Sequence, residues 1–60
     1  HQDMDISEIL PGDLVRITSG RFSGEEAVFV DHRKHKVVVQ LKELGMQLSL
    51  SLANNDLIVV

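Results

Sequence analysis

Apolar and polar residues alternate with a period of two along much of this chain. Residues 46–52, MQLSLSL, alternate strictly, with Met46, Leu48, Leu50 and Leu52 on one side and Gln47, Ser49 and Ser51 on the other. Such alternation predicts a strand with one face on a core and one in water. Residues 36–42, KVVVQLK, predict another. Val37, Val39 and Leu41 alternate there with Lys36, Val38, Gln40 and Lys42. Consecutive β-branched valines resist a helix and suit a pleated surface. In residues 14–18, LVRIT, Val15 and Ile17 point inward, and Leu14, Arg16 and Thr18 alternate with them. Residues 26–31, EAVFVD, carry apolar side chains on both faces, Val28 and Val30 on one and Ala27 and Phe29 on the other. Such a strand is either central or presents Phe29 to a partner. Residues 57–60, LIVV, form a short last strand.

Turn signals separate these segments. Pro11-Gly12 opens the first strand: proline fixes φ and glycine accepts conformations that other residues avoid. Asp13 serves that turn. Gly20 and Gly24 bracket a loop around Phe22, its only large apolar side chain. Phe22 either caps one end of the core or stands exposed for a partner. The loop lacks the Lys-Ser/Thr of a phosphate-binding loop, so its glycines read as backbone devices. His32-Arg33-Lys34-His35 is a polar turn, Glu43-Leu44-Gly45 a connection turning at Gly45, and residues 53–56 a further turn. Residues 1–9 read as a linker, with Ile6, Ile9 and Leu10 able to dock on the domain, and residues 10–60 as the folded unit. The fold class predicted is all-β, a small five-stranded antiparallel barrel. Closing it removes the exposed edges of an open sheet.

Composition narrows the function. Sixty residues allow one domain, and a domain of that size buries only about 60% of its unfolded surface. There is no cysteine, tryptophan or tyrosine and there are two phenylalanines, so the core is aliphatic with no disulfide or thiolate metal site to staple it. The net charge of −3 argues against a domain built mainly to hold nucleic acid. No apolar run approaches the ~18 residues of a membrane span, and the acidic start lacks signal-peptide character. A chain beginning at His1 reads as part of a longer protein.

The residues contain no visible catalytic constellation, and none is assigned. Glu25-Glu26 is a solvated pair rather than an acid–base couple, and no nucleophile–base set is apparent. His32 and His35 lack a third metal ligand nearby, so no metal or other cofactor is expected. Two binding functions compete. One is protein recruitment through apolar side chains that cannot all be buried, with Phe29, Leu44 and Met46 the candidates. The alternative is an RNA-binding or ribosomal-protein-type barrel using Arg21, Arg33, Lys34 and Lys36. Against it stand the acidic total and the lack of stacking aromatics.

The run Pro11-Gly12-Asp13-x-Val15-x-Ile17, then Gly20-x-Phe22-x-Gly24, Ala27-x-Phe29, the valine strand and Leu44-Gly45 resembles the KOW domain of the NusG family of transcription factors, from about residue 10 to residue 60. Arg21 stands where ordinary NusG usually has proline, and Ala27 where it has glycine, which places the chain nearer the RfaH-like paralogues. The resemblance implies an SH3-like barrel at the carboxy terminus of a bacterial, cytoplasmic elongation or antitermination factor. It implies a separate amino-terminal domain that engages RNA polymerase. The barrel itself, a monomer, would recruit the ribosomal protein NusE and couple transcription to translation. Carried over by position, Phe22, Leu44, Gly45 and Met46 match places at or near the partner surface. Met46 replaces an arginine common in NusG, which leaves Rho binding open.

RfaH-like domains also fold as an α-helical hairpin against their own amino-terminal domain. A helical period is present here too: Val37, Leu41, Leu44, Leu48 and Leu52 fall on one helix face. Gly45 opposes a helix by about 1 kcal/mol relative to alanine, as do the three valines. The barrel is therefore expected for the isolated domain, with the helical hairpin an alternative for the full-length protein.

Overall fold

The computed structural model describes residues 6–60. A 3₁₀ turn, Ile6–Glu8, leads into five strands: β1 Leu14–Ile17, β2 Glu26–Arg33, β3 Lys36–Leu41, β4 Gln47–Ser51 and β5 Leu57–Val59. They form one sheet in the order β4-β3-β2-β1-β5, every neighbouring pair antiparallel. The five strands fall where the alternation predicts, with ends shifted by one or two residues.

The pleat sorts the side chains. Val15 and Ile17 of β1, Ala27 and Phe29 of β2, Val37, Val39 and Leu41 of β3, and Leu50 of β4 make the buried core. Leu48 and Leu52 pack on it half-buried. Register aligns the inward residues across strands: Val15 opposes Ala27, Ala27 opposes Leu41, and Phe29 opposes Val39. Phe29 is 2% exposed. It is a core residue, and its expected place on a partner-facing surface is corrected. The reason is register, since a β2 residue opposite buried Val39 must share Val39's face.

Ile9 is 4% exposed and belongs to the same core, with Ile6 packed against it. The folded unit therefore begins by Ile6 rather than at residue 10. The first five residues of the expected linker lie outside the described residues. Leu10 instead points outward, because the next turn reverses the chain. The Asp13 N–H donates to the Leu10 carbonyl at 2.9 Å, and the Leu10 N–H donates to Asp13 Oδ2 at 2.9 Å. Asp13 thus closes the Pro11-Gly12 turn from both ends.

The barrel expected from the sequence is not closed. Among the described residues no ladder joins β4 to β5, and the two remain the edges of one curled sheet. The connection between them binds elsewhere. The Ser51 carbonyl accepts from the Asn54 N–H at 3.2 Å and from Asn55 Nδ2 at 2.8 Å, and the Asp56 carbonyl accepts from the Thr18 N–H. These bonds turn the chain off β4 and deliver β5 to β1. Curling comes partly from β2, where the register shifts between Phe29 and Asp31 and Val30 is the extra residue of a bulge. A bulge bends its strand and increases the local twist.

The β2–β3 connection is tighter than the expected four-residue turn. Pairing continues to Arg33 opposite Lys36, leaving Lys34 and His35 as the turn. Lys34 adopts a positive φ of 33°. Gly20 has a different constraint. At φ 88° it lies beneath the β4–β5 connection, where an added Cβ would come within 2.7 Å of the Asn54 carbonyl and clash with the Asn55 side chain. Gly20→Ala should cost at least about 2 kcal/mol through backbone strain and overlap. Gly24→Ala, at φ 96° but with open space around it, should cost only about 1 kcal/mol. Urea midpoints of the two variants measure the difference, and equal losses would show that the close approach at Gly20 is not a constraint.

Candidate functional site

The β3–β4 connection presents the most exposed apolar side chains between two strands. Its backbone is a compact reversal in which the Gly45 N–H donates to the Leu41 carbonyl and the Leu41 N–H donates to the Met46 carbonyl, each at 2.8 Å. Gly45 sits at φ 67°, which glycine adopts without Cβ strain. Leu41 is the last inward residue of β3 and is buried. The turn projects past it, so Leu44 is 65% exposed and Met46 50%. Water contact at both side chains disfavours the isolated domain and would be relieved by a covering partner.

Leu44 stands at the rim of an open groove. Gly24, Glu25, Glu26, Lys42, Glu43 and Arg16 line it with Leu44, and Glu26 stands between Arg16 on one side and Lys42 on the other. Strand register makes this groove. Arg16 pairs with Glu26, and the Lys42 N–H donates to the Glu26 carbonyl. All three side chains therefore stand in one row on the outer face. Arg16 Nη2 is 2.6 Å from Glu26 Oε2, and Lys42 Nζ is 3.8 Å from Glu26 Oε1. Each pair is exposed and contributes little stability. Both cations are occupied by Glu26, and Glu25 and Glu43 give the rim its acidic character. The arrangement suits a partner with an apolar anchor and positive charge beside it.

The sequence-predicted site residues divide. Leu44, Gly45 and Met46 form one projecting turn. Phe22 packs half-buried against the core, the capping alternative of the two expected for it. Its loop reaches the groove through Gly24. Phe29 is internal and takes no part. Sequence reasoning missed the row of Arg16, Glu26 and Lys42. Its signal was available as charge of alternating sign in β1, in β2 and at the residue after β3. The reasoning also gave no role to Ile58, Val59 and Val60, which are exposed along the β5 edge.

At the opposite end of β2 and β3, Arg33 Nε donates to Asp31 Oδ2 at 2.9 Å and the His32 N–H donates to Asp31 Oδ1 at 2.8 Å. The Arg33 bond, followed by the His32 amide, holds the Asp31 carboxyl below its ordinary value of 3.8. Among the described residues no group of three His, Cys, Asp or Glu side chains is placed to hold a metal. No described helix is long and apolar enough to cross a membrane.

Comparison of the chain with protein-family models, with curated protein sequences and with solved structures found no match.

A depressed carboxylate pKa stabilises the fold above the unfolded-state value, and that contribution is lost as pH falls through the folded-state value. For Asp31 the window therefore lies at and below 3.8. The Asp31 carboxyl carbon should titrate below 3.8 by NMR, and Arg33→Ala should move the midpoint upward. An unchanged midpoint in that variant would place the cause elsewhere.

Proposed function

We propose that this domain is the carboxy-terminal recruitment module of a NusG-family transcription elongation and antitermination factor, nearer to RfaH than to ordinary NusG. It acts by binding and not by chemistry. Its partner is a protein such as ribosomal protein NusE, held by the turn of Leu44, Gly45 and Met46. An amino-terminal domain of the same factor engages RNA polymerase, in the bacterial cytoplasm. The projection of Leu44 and Met46 from an otherwise well-sorted sheet is the observation that carries this reading. The Pro11-Gly12-Asp13 and Gly20-x-Phe22-x-Gly24 pattern supports it, as do five strands at matching intervals. Met46 stands where an arginine is common in NusG, and Rho binding is left open.

A few central residues carry most of the binding energy of an interface, and truncating one of them costs about 2 kcal/mol or more. Titrating the labelled domain with NusE should move the amide signals of residues 22 and 43–47. Replacing Leu44 and Met46 together by serine should weaken binding at least about tenfold and leave the urea midpoint nearly unchanged, because both side chains are already in water. No signal changes in those segments would overturn the reading.

The second, helical period of residues 37–52 belongs to the same proposal. An α-helical hairpin needs a surface to cover its apolar face, because isolated short helices are marginal in water. The factor's own amino-terminal domain supplies that surface in an autoinhibited state, and release restores the sheet. Carbon-13 shifts of residues 37–52 in the full-length protein should be helical before release and strand-like after it. Strand-like values throughout would remove the switch and leave recruitment standing.

A further inference from the structure

A second groove lies on the outer face at the other end of β3 from Leu44. Val30, Val38 and the ion pair of Asp31 with Arg33 line it, with Lys34, His35 and Lys36 along one rim and Gln47 and Ser49 of β4 opposite. Val38 and Ser49 are register partners, which puts the two on one face. The bulge adds Val30 to that face beside Asp31, which opposes Val38. Both valines are half-buried, and Lys34, His35 and Lys36 are exposed.

The two grooves differ in their balance of charge, the first holding three carboxylates and two cations and the second one carboxylate with Arg33, Lys34 and Lys36. Glu25, Glu26 and Glu43 gather around the first groove, and Lys34 and Lys36 stand at the second. Arg33 is held by Asp31. Lys34, His35 and Lys36 make no ion pair among the described residues. Two lysines without an ion pair among the described residues flank a groove with two valines, on a domain whose net charge is −3.

We propose that this groove binds an acidic peptide segment of another protein, one with aliphatic side chains between its carboxylates. The carboxylates meet the ammonium groups of Lys34 and Lys36 and the ring of His35. An intervening leucine or valine covers Val30 and Val38, removing apolar surface from water. The groove suits this partner better than nucleic acid. No aromatic side chain lines it, so bases find no stacking platform, and a phosphate backbone makes no use of a valine floor. The surface shares no lining residue with the groove beside Leu44, and Gln47 connects it to the turn at Gly45.

The test is NMR titration of the labelled 60-residue chain with three probes: a synthetic peptide alternating Asp or Glu with Leu or Val, poly-aspartate of equal charge, and a single-stranded RNA of equal charge. The alternating peptide should shift residues 30–38 and 47–49 and bind tightest. Its affinity should fall when salt is raised from about 20 mM to about 150 mM, where screening acts over about 8 Å. Lys34→Glu with Lys36→Glu should weaken it at least about tenfold, since like charges now face the carboxylates. These solvated positions leave the rest of the spectrum in place as a fold control. Val38→Thr, which keeps the side chain's shape, should also weaken binding of the alternating peptide but not of poly-aspartate. Equal binding of poly-aspartate would overturn the role of the valines, tighter binding of RNA would assign the groove to nucleic acid, and no shifts with any probe would overturn the proposal.

Discussion

The inward face of β2 is the constraint on which the rest of this domain depends. A chain this small, with no cysteine to form a disulfide, has one core to build. The strand that pairs with both β1 and β3 must supply that core's largest side chain. Phe29 does so, opposite Val39 and buried. Burial of one such side chain is worth roughly 1.5–3 kcal/mol, a large share of the net stability of a small domain. With Phe29 inward, Ala27 is inward too. Val28 and Val30 are then outward, and the faces of β1 and β3 follow from pairing. The bulge at Val30 lets the sheet curl over this core while β2 stays paired on both sides.

The two ends of the sheet take different characters from that arrangement. At one end β3 finishes at buried Leu41, so the following turn has no core left to enter, and Leu44 and Met46 remain in water. Gly45 holds the reversal tight enough to keep them together. At the other end the ladder runs almost to the tip of the β2–β3 hairpin, which brings Lys34 and Lys36 close to the half-buried Val30 and Val38. Three glutamates border the first end, and at the second Lys34 and Lys36 have no ion pair among the described residues. The two ends differ in their balance of charge.

Much of the fold was legible in the alternation. Val15 and Ile17, Val37, Val39 and Leu41, and Leu50 are all inward as the pattern required, because a period of two leaves little choice once one face is buried. The β2 strand was ambiguous for the same reason: apolar residues on both faces remove the contrast on which the inference rests. Phe29 was therefore open to two placements, and its pairing with Val39 decided between them. Strict alternation from Met46 to Leu52 was also an incomplete guide. Met46 has the parity of Leu50 but lies in the turn, beyond the end of the core. Of the candidate site, Leu44, Gly45 and Met46 were legible as a local turn, whereas the charged row of Arg16, Glu26 and Lys42 joins β1, β2 and the residue after β3, and no single segment shows it.

By itself the sequence determined an all-β domain of five strands, the turn positions, most of the inward residues and an aliphatic core. These follow from side-chain alternation and backbone preference, which act within a few residues. Only the tertiary structure decided that β4 and β5 stay apart, that Ile9 joins the core, that Phe29 is internal and that Gly20 lies beneath Asn54 and Asn55. Each depends on which distant segments meet. Packing and long-range hydrogen bonds settle that, and local pattern does not encode it.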